Sequence, residues 1–177
     1  MSQKSSFKQK VLLCGPAGVG KTSLVMRFIK SRFASDYKLT VGVDILTKDV
    51  ELDSNQNVTL TIWDIGGQDR FAFIRSTFYR GAKGALLVFD LSRAATWDDI
   101  KKWREEIKQF AGDIPFVLIG NKLDLLPDVG EVIDREQCRQ WAEQEGSLYL
   151  ETSAKNNIAV DDAFHTLAKL IHEKYLA

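Results

Sequence analysis

Three glycines within six positions, Gly15, Gly18 and Gly20, separate the apolar run Val11-Leu12-Leu13-Cys14 from a pattern of helical spacing that opens at Lys21. Glycine at that density neither continues a strand nor starts a helix without a turn, so residues 15–22 must form a loop between the two. The loop reads Gly-Pro-Ala-Gly-Val-Gly-Lys-Thr. That pattern turns consecutive backbone N–H groups inward around an anion while a lysine supplies the opposing charge. Because a helix follows, the free N–H groups of residues 18–23 and the positive end of the helix dipole face the same point. Ala17, Gly18, Val19, Gly20, Lys21, Thr22 and Ser23 are therefore expected at a phosphate. Lys21 should meet the outer phosphates, and the Thr22 hydroxyl is placed to ligate magnesium.

The rest of the chain repeats the strand-then-helix rhythm. Strands are expected at 10–14, 84–90 and 115–120, and helices at 21–33 and 96–110, which predicts a parallel sheet covered on both faces. Thr96 and Asp99 form an acidic variant of the capping box. Trp97, Ile100, Trp103, Ile107 and Phe110 follow at steps of three and four and should face inward. Residues 43–50 and 58–63 flank a polar turn at 51–57 and read as an antiparallel hairpin. A helix over 134–145 ended by Gly146, a strand over 147–150 and an amphipathic helix over 158–175 complete the pattern. The expected fold is α/β, a P-loop NTPase domain with a six-stranded mixed sheet, one strand antiparallel, flanked by five helices.

At 177 residues, with no linker or composition break, the chain suits one domain over 8–177 after a flexible segment at 1–7. The 24 basic and 24 acidic residues cancel and no basic stripe occurs, so neither nucleic acid nor an anionic membrane is expected as the main partner. Cys14 and Cys138 lie far apart without metal-ligand spacing, and Cys14 reads as a buried strand residue in a reducing compartment. The opening Met1-Ser2-Gln3-Lys4-Ser5-Ser6 lacks the apolar core of a signal peptide, and no stretch reaches transmembrane length. Ser2 rules out N-myristoylation, and Tyr175-Leu176-Ala177 contains no cysteine to prenylate. A cytoplasmic monomer is expected, with reversible membrane association if a lipidated tail follows.

Three further stretches fall at or just after expected strands, where ligands of such sheets bind: Asp64-Ile65-Gly66-Gly67-Gln68, Asn121-Lys122-Leu123-Asp124 and Glu151-Thr152-Ser153-Ala154-Lys155. The Asp124 carboxylate can accept two hydrogen bonds from the N1–H and exocyclic amine of guanine, which adenine does not offer on that edge. GTP is thus favoured over ATP.

With these motifs the chain resembles the Ras superfamily of small GTPases, Rab-like members in particular. Val41-Gly42-Val43-Asp44, Ile62-Trp63-Asp64, Phe78-Tyr79-Arg80-Gly81-Ala82 and Leu87-Val88-Phe89-Asp90 look like Rab segments, while Trp63-Asp64-x-Gly66-Gly67-Gln68 is similar to Arf proteins. The resemblance implies that Thr40 reaches magnesium and the γ-phosphate in the triphosphate state, that Asp64 holds a magnesium-bound water, and that the Gly67 N–H meets the γ-phosphate. It also makes Gln68 the residue that orients water, beside Lys21 and Thr40 as catalytic groups, with Thr22, Thr40 and Asp64 on the metal side.

Around the base, the resemblance lays the stems of Lys122 and Lys155 along the ring plane and packs Phe33 edge-on against it. Asn121, Ser153 and Ala154 complete that end, the Ala154 N–H meeting guanine O6. Tyr37 joins the nucleotide contacts where heterotrimeric G proteins carry an arginine, so slow intrinsic turnover and a separate GTPase-activating protein are expected. Ala17 stands where Ras proper has glycine. Ile45, Trp63 and Phe78 match the hydrophobic triad by which Rab proteins bind effectors, or else pack in the hairpin. An exchange factor and an effector complete the implied partners of a GTP/GDP switch in trafficking or signalling. Two alternatives stand beside it: a guanine-nucleotide-bound interaction module without turnover, and an ATP-dependent P-loop kinase, which Asn121 and Asp124 disfavour.

Overall fold

A computed structural model describes residues 6–31, 40 and 42–176. Six strands, β1 (Ser6–Cys14), β2 (Val43–Leu52), β3 (Gln56–Ile65), β4 (Gly84–Asp90), β5 (Phe116–Asn121) and β6 (Leu148–Glu151), form one sheet in the order β2-β3-β1-β4-β5-β6. Only β2 runs antiparallel, pairing Val43 with Ile65 through to Leu52 with Gln56. β4 and β5 are buried throughout, as parallel strands covered on both faces must be.

Successive side chains of a strand point to opposite faces, so the central strands feed two cores. Val11, Leu13, Leu86, Val88, Val117 and Ile119 pack on one face with α1 (Lys21–Lys30) and α7 (Val160–Ile171), where the Phe28 and Phe164 rings stack 4.1 Å apart. Leu12, Cys14, Leu87, Phe89 and Leu118 pack on the other with α4 (Ile100–Ala111) and α6 (Arg135–Gln144). Both cysteines are free and buried.

Three shorter segments, α2 (Ala72–Arg75), α3 (Ala94–Asp98) and α5 (Leu126–Val129), complete the helices. The four helices given ranges from the sequence correspond to α1, the consecutive α3 and α4, α6 and α7; α2 and α5 are short turns to which the sequence assigned no range. Asp134 caps α6 by accepting from the Gln137 N–H at 3.2 Å. No helix among the described residues is long and apolar enough to cross a membrane.

Local expectations fail at three points. Helix α1 stops at Lys30 rather than residue 33, because Ser31 turns into the left-handed region with φ 53° and donates its N–H to the Arg27 carbonyl. Phe33 and Tyr37 lie outside the described residues. Thr96 is no cap: the helix opens at Ala94, and the Thr96 hydroxyl accepts from the Asp90 N–H at 2.9 Å and donates to the Arg93 carbonyl at 2.7 Å. Phe110 is 42 % exposed, on the last turn of α4 before Gly112 leads the chain away.

Candidate functional site

The carboxyl ends of β1, β3, β5 and β6 bring the four motif stretches to one edge of the sheet. At its centre the loop after β1 lies too close to its neighbours for side chains. A Cβ at Gly15 (φ 146°) would stand 2.0 Å from the Val88 carbonyl oxygen, and one at Gly20 (φ 99°) 2.3 Å from Asn121 Nδ2. Lys21 Nζ donates to the carbonyls of Gly15 at 2.8 Å and Pro16 at 2.9 Å. Burial lowers its ammonium pKa to about 8, against the pull of the Asp64 carboxylate. Ala17, Gly18 and Gly20 of the loop and Lys21 and Thr22 of the first turn of α1, with Thr40 and Gly67, line a cavity at this point, and the sequence had assigned all seven to one site.

Beside the cavity three oxygen-bearing side chains from separate segments meet. The Thr22 hydroxyl donates to Asp64 Oδ2 at 2.6 Å and lies 2.5 Å from the Thr40 hydroxyl. Asp64 is fully buried, its pKa raised by that burial although Thr22 and Lys21 pull it back, and its Oδ1 has no hydrogen-bond partner. An orphaned buried carboxylate oxygen with two hydroxyls is a hard donor set, suited to a small divalent cation that draws its other ligands from water and phosphate. No group of three or more histidines, cysteines or carboxylates able to hold a metal occurs among the described residues.

β3 then runs into Gly66, whose N–H donates to the Gly42 carbonyl at 2.8 Å, and Gly67, where a Cβ would stand 2.3 Å from the Gly15 oxygen. Gln68 is not among the residues lining the cavity. Its Oε1 accepts from Arg70 Nε at 2.8 Å, and its carbonyl accepts from Arg75 Nη1 at 3.2 Å. Arg75 is buried, pairs with Glu106 at 3.0 Å and lies 4.0 Å over the Trp103 ring, a tie to α4 that no motif announced.

At the other end Asn121 acts as a strut. Its Nδ2 donates to the Val19 carbonyl and its Oδ1 accepts from the Thr152 hydroxyl, both at 2.9 Å. Lys122, at φ 66°, sends Nζ to the Gly18 carbonyl at 2.8 Å. Asp124 Oδ1 accepts from the Ser153 hydroxyl at 2.7 Å, and Ser153 Oγ accepts from the Asn156 N–H at 3.0 Å. Arg27 of α1 donates to the carbonyls of Ala154 at 2.8 Å and Lys155 at 2.9 Å, a support the sequence did not reveal. Lys155 itself is exposed.

The apolar trio falls between the two readings weighed for it. Ile45 is 50 % exposed and pairs in register with Trp63, which lies 6.1 Å from the Phe78 ring. Trp63 and Phe78 are half-buried against the second core while keeping an outer edge. Phe73 and Ile74 add exposed apolar surface nearby in sequence.

Against known proteins, the model described as Ras family matches residues 10–173. The GTP-binding protein yptV5 of Volvox carteri is 41 % identical over 175 residues, 96 % of this chain and 84 % of that protein. The Ras-related protein Rab7 of Pisum sativum is 41 % identical over 166 residues, 90 % and 80 % of the two chains. The Ras-related protein Rab-7a of Dictyostelium discoideum is 39 % identical over 175 residues, 96 % and 85 %.

Proposed function

The chain belongs to the Ras family, as a Rab-like GTP-binding GTPase, and from that premise we propose how its residues divide the work of a GTP/GDP switch. The observation that carries the reading is the meeting of Thr22, Thr40 and Asp64 at the mouth of the phosphate loop, with one buried Asp64 oxygen unpartnered. Those three residues would hold magnesium. When bound, the ion neutralises charge on the β- and γ-phosphate oxygens.

Backbone N–H groups of residues 17–23 cradle the phosphates, and Lys21 turns from the loop carbonyls to the β- and γ-phosphates as a point charge. Gln68 orients a water for attack on the γ-phosphorus, so that the bond to the bridging oxygen breaks and GDP and phosphate leave. Asp124, steered by Ser153, accepts from guanine N1–H and the amine. The Ala154 N–H, the stems of Lys122 and Lys155, Phe33 and Tyr37 complete the nucleotide contacts. When the γ-phosphate leaves, Thr40 loses a ligand and its segment relaxes, and a partner reads that change.

With tyrosine at position 37, no arginine in cis stabilises the transferring phosphoryl group, so intrinsic turnover is slow. A GTPase-activating protein supplying one in trans would contribute on the order of 10³ to 10⁵ in rate. Exchange factor, activating protein and effector act on the switch in turn, in trafficking.

One observation favours a second reading, a nucleotide-bound module that does not turn over: Arg70 holds the Gln68 amide outside the cavity lining. A single assay separates the two. Purified protein should carry a guanine nucleotide by mass analysis, and after loading with GTP should release one phosphate per chain slowly and only with magnesium. Absence of phosphate release with bound GTP selects the second reading, and an adenine nucleotide overturns both.

A further inference from the structure

Three consecutive carbonyls of the phosphate loop are each taken by a side chain from the ends of β4 and β5. Arg93 Nη2 donates to the Ala17 oxygen at 3.0 Å, Lys122 Nζ to the Gly18 oxygen at 2.8 Å and Asn121 Nδ2 to the Val19 oxygen at 2.9 Å. Of these donors, the arginine was not anticipated from any motif.

The first two share an anchor. Arg93 Nε lies 3.0 Å and Lys122 Nζ 3.1 Å from the same oxygen, Oδ2 of Asp90, whose Oδ1 accepts from the Ser92 N–H at 2.8 Å and hydroxyl at 2.6 Å. Asp90 is 1 % exposed and ends β4. Burial alone would raise its pKa, yet Ser92 and Lys122 outweigh it and hold the carboxyl below the ordinary range, so it stays an anion between two cations.

In a trans peptide unit the C=O and the following N–H point to opposite sides, and the described residues contain no cis bond. Fixing the Ala17 and Gly18 oxygens on cations therefore fixes the Gly18 and Val19 N–H groups on the side away from those cations, and Gly18 lines the cavity. A cation on the carbonyl also polarises the unit and makes its N–H a stronger donor. Gly18, at φ 79°, sits between the two planes and by itself holds neither.

We propose that Asp90, acting through Arg93 and Lys122, is a positioning residue for phosphate binding, because it orients the peptide planes whose N–H groups at Gly18 and Val19 receive phosphate oxygens. This rests on the nucleotide reading of the site given above. It gives Arg93 a role no sequence motif assigns it, and through Arg93, after β4, that role is separate from base choice, which falls to the Asp124 and Ser153 pair after β5 and β6.

The test uses the full chain as parent, Arg93→Gln and Asp90→Asn, each loaded with a fluorescent GDP derivative and chased with excess GDP, with amide proton shifts recorded in the GDP-bound state. Arg93→Gln should speed GDP release by about three- to tenfold, the net effect of one hydrogen bond from a half-exposed donor. It should move the Gly18 amide proton upfield more than that of Val19, and leave preference for GDP over xanthosine diphosphate as in the parent. Asp90→Asn should move both amides and speed release further. Arg93 is half-exposed, so its variant should fold and decides the matter even if Asp90→Asn does not. Parent-like release and an unmoved Gly18 amide in Arg93→Gln would overturn the proposal, as would faster release with equal loss of base preference, which marks general loosening. A parent that retains no GDP would instead bring down the site assignment itself.

Discussion

The two halves of the nucleotide site are built differently. On the phosphate and base side, residues from the ends of β1, β4, β5 and β6 interlock: Asn121 joins Val19 to Thr152, Lys122 joins Gly18 to Asp90, and Arg27 ties α1 to the Ala154 loop. On the other side, Thr40, Gly42 and the stretch from Gly66 to Phe78 consist of glycines and helical turns of three or four residues, with Phe73 76 % exposed. Their described ties to the first half run from Thr40 to Thr22 and from Gly67 against the Gly15–Ala17 backbone, with Arg75 holding to α4. Local stability follows the density of buried contacts, and elements that move are drawn from its low end. Affinity can thus reside in one half while the response to the γ-phosphate resides in the other.

The comparison breaks most visibly if Asp124→Asn fails to touch affinity. An amide cannot accept both guanine donors, so GTP binding should weaken on the order of 10³-fold and relative preference for xanthosine triphosphate should rise, as read by competition binding. Next is Gly67→Ala, where the new methyl would have to enter 2.3 Å from the Gly15 oxygen and 2.6 Å from the Ala17 nitrogen. Displacing the strand end by about 1 Å should cost single-turnover hydrolysis roughly 100-fold and leave GDP release much less affected. If both fall together, the halves are not independent.

Thr40→Ala should sharpen the division, leaving GDP affinity in place while removing the triphosphate-dependent hydrogen-exchange protection of residues 42–46. Equal protection in parent and variant would take Thr40 out of the switch. The smallest effects concern Gln68. Gln68→Leu should lower unassisted phosphate release up to about tenfold, the loss of one neutral hydrogen bond to water. Arg70→Ala, by releasing the Gln68 amide, should raise it by a small factor, and an unchanged rate in both would take Gln68 out of the hydrolytic step.

The rigid half was also the legible half. Gly15, Gly18, Gly20 and Lys21 announce their conformation locally, and the Asn121-Lys122-x-Asp124 stretch announces its place after a strand by its spacing, because each depends on a few neighbouring residues. The supports were not legible: Arg27 reaches Ala154, Arg93 reaches Ala17 and Arg75 reaches Glu106 over long sequence separations that no pattern records. Thr96 misled for a different, local reason, since a hydroxyl suited to a helix N-cap found the Asp90 N–H and the Arg93 carbonyl instead. Gln68 carries a family role in its motif, but its rotamer is set by Arg70, two residues on.

Asp64 is gripped from both flanks, in register with Leu13 of β1 on one side and Asp44 of β2 on the other. A slip of one residue in either ladder would turn its carboxylate to the opposite face of the sheet, and each ladder forbids the slip that the other would suffer. Asp64 stands eight residue steps along β3 from the Gln56 end of the hairpin, a span of about 25 Å at strand rise. The Asp53–Asn55 turn is therefore insulated from the chemistry at the far end. It is the natural place to splice a tag or a fluorophore-bearing peptide into this protein.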